Sequence, residues 1–102
     1  MLNLYKAFSV IKTEKEFYNL LNDLCTPTEI RELSERWNIA QLLALEKLRQ
    51  QDIATKLNCG VATVNRVSRC LKDEKNFGYT TVMTRLFPEK KLSLRNIRTN
   101  SK

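Results

Sequence analysis

The sequence predicts an all-α fold with about six helices per chain. Apolar residues recur three and four positions apart in each apolar segment, which is the spacing of one helix face. A short break between Leu57 and Val61 separates two of these segments, as in a helix-turn-helix. The segment from Pro27 to about Lys47 is apolar around most of its circumference in its second half. Such a segment is typical of a helix that is enclosed on several sides.

The N-terminal part of the chain predicts two short helices. Apolar residues of the first helix are Leu4, Ala7, Phe8 and Ile11. The second helix can be capped by Thr13, with Glu16 three residues later completing a capping-box pattern. Its apolar face consists of Phe17, Leu20, Leu21 and Leu24.

A long third helix follows, and its start has two local signals. Thr26 is a good N-cap residue, and Pro27 suits the first helical position. Residues in the second half of this helix are apolar nearly all round, and a chain of 102 residues has few elements with which to cover them. We therefore expect a second copy of the chain to cover part of this helix in a homodimer.

The segment from Arg49 to Lys72 predicts a helix-turn-helix. The buried residues expected here are Ile53, Ala54 and Leu57 in the first helix and Val64, Val67 and Leu71 in the second. Asn58 and Gly60 accept positive φ most readily, so both are expected to shape the turn. The small side chain of Ala54 would allow the two helix backbones to approach closely.

The chain carries a net charge of +7, and the excess lies in its C-terminal part. Residues 1–60 contain 8 basic and 8 acidic residues, whereas residues 61–102 contain 10 basic and 3 acidic ones. The positive field thus begins at the second helix of the motif, which also carries donors suited to bases and phosphates. This distribution predicts a nucleic-acid partner. The alternative is a basic surface that serves only solubility.

The C-terminal part predicts one further helix and a tail. Residues 73–78 are polar and predict a loop, and Tyr79, Val82, Met83, Leu86 and Phe87 form the face of a helix that Pro88 ends. We accordingly expect one helical domain over residues 1–88 and a flexible basic tail over residues 89–102. The tail either contacts DNA phosphates or has no specific role.

The residue types present argue against catalytic, metal and membrane functions. Three cysteines and no histidine predict neither a disulfide framework nor a zinc site, and no cofactor is expected. Cys59 is expected to be a packed structural cysteine in the turn rather than a nucleophile. With no signal-like start and no long apolar run, the sequence predicts a soluble, cytoplasmic protein that is not an enzyme.

The segment from Thr26 to Lys72 resembles the tryptophan repressor family, and within it the chain looks more like the YerC/YecD-type branch. The matching positions are Thr26, Pro27, Arg36, the run Gly60–Thr63, Arg66, Ser68, Leu71 and Lys72. The resemblance implies an intertwined helical homodimer with two helix-turn-helix heads. Such a dimer would place its two recognition helices about 34 to 36 Å apart, one turn of DNA, and would bind a palindromic operator.

The resemblance also implies which residues contact DNA. These residues are Gln50, Gln51, Val61, Ala62, Thr63, Asn65 and Lys72. Asn65 would pair with adenine, Lys72 would bind a phosphate, and water can mediate base contacts. Arg69 is outside the family pattern and would contact either a phosphate or a neighbouring carboxylate. Gln50 and Gln51 could instead form a solvated helix start.

The same resemblance implies a possible effector pocket, but two of its residues differ from those of the tryptophan-binding pocket of the family. The pocket residues would be Thr26, Arg36, Arg66, Val67 and Cys70. Val67 stands where the family has glycine, and Cys70 stands where it has serine. We expect the Val67 side chain to fill the space of the indole, so tryptophan would not be the corepressor. Arg36 and Arg66 would either pair with Glu29, Glu32 or Glu35 or bind a different small anionic effector.

Taken together, these patterns predict a sequence-specific double-stranded DNA-binding regulator, expected to be a repressor. The alternative is a helix-turn-helix module that coats nucleic acid without sequence preference or docks on another protein.

Overall fold

The computed structural model describes residues 1–92, and every regular element in that part of the chain is an α-helix. The six helices are α1 (Leu4–Ser9), α2 (Glu14–Leu24), α3 (Pro27–Leu45), α4 (Gln50–Leu57), α5 (Val61–Lys72) and α6 (Gly78–Leu86). The all-α prediction with six helices is confirmed. The chain forms two compact units, residues 1–34 and the part from Glu35 onward, and α3 contributes residues to both. None of the helices in residues 1–92 has the length and hydropathy of a membrane span.

Local side-chain bonds determine where the first helices begin. The Asn3 side chain accepts from the Lys6 N–H at 2.9 Å at the start of α1. The Thr13 hydroxyl accepts from the Glu16 N–H at 3.1 Å at the start of α2, as predicted. The Glu16 carboxylate accepts from the Lys12 N–H at 2.8 Å, one residue before the expected position. Both helix starts therefore depend on residues only three or four positions apart.

The start of α3 has a complete capping box. The Thr26 hydroxyl accepts from the Glu29 N–H at 3.1 Å, and the Thr26 N–H donates to the Glu29 carboxylate at 2.8 Å. Pro27 is the first helical residue, where a missing N–H costs nothing. The predicted start of this helix is confirmed.

Two helices end about two residues earlier than the sequence pattern predicted. α1 ends at Ser9, whose hydroxyl donates to the Lys6 carbonyl at 2.7 Å, so Ile11 lies beyond the helix. α3 ends at Leu45, and Lys47 has the left-handed φ of 56°. A helix cannot continue through a left-handed residue, which explains the earlier end.

The core of the second unit is built from α3, α4, α5 and α6. Its buried residues are Ile39, Ala40, Leu42, Leu43, Ala44, Ile53, Val64, Val67, Leu71 and Met83. The expected face of α5 is thus buried. On α4, Ile53 is buried, whereas Ala54 and Leu57 are partly buried and pack against this core. The second half of α3 is enclosed by helices of its own chain. The expectation that it needs a second chain for this purpose was therefore wrong for residues 39–44, because α4, α5 and α6 supply the cover.

The first unit leaves its apolar side chains largely uncovered. Neither α1 nor α2 contains a buried residue. The Phe8 and Phe17 rings contact each other with their centroids 5.2 Å apart. Even so, Phe17 is 36% exposed and Leu24 is 53% exposed. The unit has formed helices without building an enclosed core of its own.

The segment after α5 forms the predicted loop. α6 begins after Phe77, which has a positive φ of 58°, and the Thr80 hydroxyl donates to the Glu74 carboxylate. Leu92 packs against the core of the second unit. The remaining part of the predicted tail, residues 93–102, lies outside the described residues. The boundary at residue 88 stays a prediction.

Candidate nucleic-acid interface

The turn between α4 and α5 depends on one left-handed residue. Asn58 has φ 52° and ψ 49°, and its N–H donates to the Thr55 carbonyl at 3.3 Å. The next N–H, that of Cys59, donates to the Ala54 carbonyl at 3.0 Å. These bonds satisfy two carbonyl groups in the last turn of α4 and turn the chain towards α5. The prediction for Asn58 is confirmed.

Gly60 has a different conformation from the one expected. Its φ is −72° and its ψ is 142°, an extended conformation that any residue can adopt. A Cβ atom added to Gly60 would meet no atom within 4 Å. The prediction that Gly60 supplies a positive φ was wrong, since the left-handed conformation of Asn58 already makes the turn. Gly60 is the N-cap of α5 and makes no side-chain capping bond.

Opposite sides of α5 have different environments. The inner side contains Val64, Val67, Ser68 and Leu71, all of which are buried. The outer surface of α5, which we define as Val61, Ala62, Asn65 and Arg69, is exposed to solvent. Thr63 is half-buried at the edge of this surface, and Lys72 is half-buried at the end of the helix. Asn65 and Arg69 are thus accessible, on a helix whose other side is held by the core.

The charges along α5 favour an anion at its N-terminus. The first turn contains no acidic side chain, and the last turn contains Arg69 and Lys72. Backbone N–H groups at a helix N-terminus carry a partial positive charge and point towards an approaching phosphate. The outer surface of α5 begins at this end, with Val61 54% exposed. This end of α5 can therefore contact both a phosphate of the nucleic-acid backbone and an apolar base edge.

Arg69 does not form the alternative salt bridge in the described chain. The ion pair present within residues 1–92 joins Arg49 to Asp52 at 3.2 Å, with both side chains exposed. Arg69 is exposed and carries no such carboxylate contact in this part of the protein. The phosphate contact of Arg69 stays a prediction.

The two glutamines at the start of α4 lie in different environments. Gln51 is exposed. Gln50 is half-buried, and its Nε2 donates to the Ser68 hydroxyl of α5 at 3.2 Å. The expected alternative, that both glutamines are simply solvated, therefore does not describe Gln50. Sequence reasoning missed this bond because its partners are 18 residues apart.

Three of the expected effector-pocket residues act on one tyrosine in the second unit. Burial raises the pKa of the Tyr79 hydroxyl, Cys70 adds to the rise, and the guanidinium groups of Arg36 and Arg66 oppose it. In residues 1–92, neither arginine forms an ion pair with Glu35. Arg36 and Arg66 thus place positive charge near Tyr79.

The other two expected pocket residues serve structural roles. Val67 is only 1% exposed and belongs to the hydrophobic core. Thr26 is the N-cap of α3, in the first unit, and both of its capping bonds go to Glu29. Five residues that the family pattern groups together thus include one core side chain and one helix cap.

A cavity in the second unit was not predicted from the sequence. It has a volume of about 720 Å³ and lies beside Trp37, Cys70, Tyr79 and Val82, with the loop of residues 73–77 and the first residue of α6 along one side. The Trp37 and Tyr79 rings are stacked, with centroids 6.3 Å apart and an angle of 10° between their planes. The only sequence signal was the presence of two aromatic residues on expected core faces, which does not distinguish a filled core from an open cavity.

The environment of Cys59 agrees with its expected structural role. Cys59 packs against the hydrophobic core, and burial raises the pKa of its thiol. The Glu35 carboxylate raises that pKa further. A nucleophilic cysteine requires the opposite shift, since the thiolate is the reactive form.

Comparison with known proteins places this arrangement in a family. The family model described as Trp repressor protein matches residues 1–87. The chain is 35% identical over 68 residues to YerC, an uncharacterised protein of Bacillus subtilis (strain 168). That match covers 67% of this chain and 64% of YerC, so the chain spans less than two thirds of that relative.

Solved structures agree with the family match. A protein from Staphylococcus aureus, described as a candidate Trp repressor, has 30% sequence identity and a TM-score of 0.74, and the match covers 85% of each chain. A TrpR-like protein from Eubacterium eligens ATCC 27750 has 38% identity and a TM-score of 0.72, with 81% of this chain and 84% of that chain covered. The resemblance inferred from the sequence is confirmed: the chain belongs to the Trp repressor family, a family of DNA-binding regulators.

Proposed function

We propose that this protein is a sequence-specific, double-stranded DNA-binding repressor that acts in the cytoplasm as a homodimer on a palindromic operator. The outer surface of α5 is the observation that carries the proposal. Asn65 is exposed there, one residue after the buried Val64, so the amide can reach a base edge while the helix stays anchored. An asparagine amide can pair with adenine through two hydrogen bonds, and such a pair discriminates by about 1–3 kcal/mol.

The neighbouring side chains complete the DNA-reading surface. Ala62 and the exposed Val61 can contact a thymine methyl group, and Thr63 can bond to a base directly or through water. Arg69, Lys72 and the exposed Gln51 are suited to phosphates. The excess of 10 basic over 3 acidic residues after residue 60 adds long-range attraction to the same part of the chain.

The first unit supports the homodimer. α1 and α2 bury no residue in the single chain, and Leu24 and Leu33 are 53% and 44% exposed. A set of exposed apolar side chains of this kind marks an interaction surface. A second copy supplies the cover and also duplicates α5. The two copies of α5 would then reach successive major grooves about 34 Å apart.

The burial of Val67 supports DNA binding that does not require tryptophan as corepressor. Its isopropyl group is part of the core, in the position where the family resemblance implies glycine and an indole ring. Arg36 and Arg66 keep a cationic environment around Tyr79, which suits a different small anionic effector. We propose that DNA binding itself does not require a ligand.

A selection from random DNA duplexes with the full chain tests this function. Enrichment of a palindrome with half-sites one helical turn apart is the expected result, with a dimer found by analytical ultracentrifugation. Binding without enrichment would favour nucleic-acid coating, and the absence of binding would favour docking on another protein.

Two variants test whether recognition of the selected duplex depends on the outer surface of α5. Asn65→Ala should weaken binding to the selected duplex and relax the preference at one position of each half-site. Asn76→Ala makes the same chemical change in the loop after α5, outside this surface, and should leave the preference unchanged. Equal effects of the two variants would contradict the assignment of Asn65.

A further inference from the structure

One side-chain hydrogen bond links the two helices of the motif. The Gln50 Nε2 donates to the Ser68 Oγ at 3.2 Å, joining the first residue of α4 to the inner side of α5. Ser68 is only 2% exposed and is the one polar residue among the buried residues of the described chain. The Gln50 side chain thus reaches towards the second helix of the motif.

The bond supplies a donor to a hydroxyl oxygen that is almost inaccessible to water. Within residues 1–92, every buried polar side-chain atom has a hydrogen-bond partner, and the partner of the Ser68 hydroxyl is Gln50. Removing only the amide would leave a buried hydroxyl without a partner, which carries the full cost of its desolvation. Replacing both groups by apolar ones of similar shape avoids that cost.

The position of the bond matters for the geometry of the motif. The C-terminal end of α4 is connected to α5 through the turn at Asn58, whereas Gln50 lies at the other end of α4. Apolar contacts between the two helices are not directional, so by themselves they permit small rotations and shifts. The Gln50 bond adds a directional contact at the end of α4 that the turn does not hold.

We propose that Gln50 is a positioning residue that acts through Ser68 to set the angle between α4 and α5, leaving Gln51 as the α4 glutamine that reaches DNA. This inference rests on the proposed DNA-binding function and deepens it. Gln50 affects affinity because it holds the outer surface of α5 at the correct angle, and it makes no contact with DNA itself.

A double-mutant cycle separates positioning from direct contact. The proteins are the full chain, Gln50→Met, Ser68→Ala and the double variant, and the probe is the duplex recovered by selection. Gln50→Met keeps the length of the side chain and removes the donor. It should weaken binding about fivefold, the factor that corresponds to one net hydrogen bond. Ser68→Ala should weaken binding to a similar extent, and the double variant should bind within about twofold of either single variant, because each of these changes removes the same directional contact.

Two outcomes of the binding cycle would overturn the inference. If Gln50 contacts DNA directly, Gln50→Met will weaken binding while Ser68→Ala binds like the original protein. If Gln50→Met binds like the original protein, the bond does not position α5. Gln51→Met provides the matched control, and it should lower the affinity by the same factor in the original protein as in the Ser68→Ala variant.

Chemical unfolding of the same four proteins without DNA gives an independent measurement. Gln50→Met should be less stable than the double variant, since only the single variant leaves the Ser68 hydroxyl unpaired. Additive unfolding effects would overturn the inference whether or not a duplex is found. Coupling in unfolding with no coupling in binding would show a merely structural bond and would also overturn it. A selection without any enriched duplex defeats the proposed function, and the unfolding cycle still decides whether Gln50 and Ser68 act together.

Discussion

Replacing Val67 by glycine tests the packing of α5 and the exclusion of tryptophan in one variant. Val67 is 1% exposed, so its side chain contributes its full apolar contacts to the core. Each buried CH₂-sized group is worth about 0.8 kcal/mol, and glycine in a helix interior costs about 1 kcal/mol relative to alanine. We expect Val67→Gly to lower the free energy of unfolding by about 3 kcal/mol. Val67→Ala, which keeps the helix propensity, should cost about 2 kcal/mol.

The same variants should differ in tryptophan binding. Titration calorimetry of the original protein with tryptophan should give no binding heat, because the isopropyl group occupies the space that the family resemblance assigns to the indole. Val67→Gly opens that space beside Arg36 and Arg66, so it should give a measurable heat. Adding Cys70→Ser, which restores the hydroxyl of the family pattern, should tighten the binding further.

Two results would refute this reasoning. Micromolar binding of tryptophan to the original protein corresponds to about −8 kcal/mol and would require an open ring site despite Val67. An unfolding free energy of Val67→Gly within about 0.5 kcal/mol of the original value would show that Val67 is not packed in a core. Circular dichroism at the calorimetry temperature would confirm that each variant is folded.

Three further predictions concern phosphate binding, helix capping and ionisation. Lys72→Ala should reduce the slope of log affinity against log salt concentration by about 0.9 for each subunit, whereas Lys56→Ala, at the C-terminal end of α4, should leave it unchanged. Gly60→Ser should raise the free energy of unfolding by about 1 kcal/mol, because serine loses less chain entropy than glycine at this extended conformation and adds a capping bond for which there is open space. Burial raises the pKa of Tyr79 above its usual 10.0, so the contribution of its neutral hydroxyl to stability is fully present below that pH and is lost as the pH rises further. Tyr79→Phe should therefore lose less stability at high pH than the original protein.

Each of these predictions has a result that would contradict it. Equal salt slopes for Lys72→Ala and the original protein would remove Lys72 from the phosphate contacts. The midpoint temperature of thermal unfolding should rise by about 5 °C for Gly60→Ser. A midpoint for Gly60→Ser below that for Gly60→Ala would mean that no capping bond forms. Identical pH profiles of Tyr79→Phe and the original protein above pH 10.0 would show that burial does not perturb this hydroxyl.

The sequence predicted the division of α5 into an inner and an outer side because that division follows from the helical period. Val64, Val67 and Leu71 are buried at the expected spacing, which leaves Asn65 and Arg69 exposed. The role of Gln50 could not be predicted in the same way. A bond to Ser68, 18 residues away, depends on how α4 and α5 cross, and the period of either helix contains no information about that crossing.

The sequence by itself determined where α1, α2 and α3 begin, since each of these starts depends on side-chain bonds between residues three or four positions apart, as between Thr26 and Glu29. It was less informative about Gly60, because the chain needed only one left-handed residue in the turn and Asn58 supplied it. Only the tertiary structure decided that α4, α5 and α6 enclose the second half of α3, and that Trp37 and Tyr79 border an open cavity. The starts of α1, α2 and α3 are set by hydrogen bonds between residues close in sequence. The enclosure of α3 and the cavity depend instead on how the loops bring helices that are distant in sequence into contact.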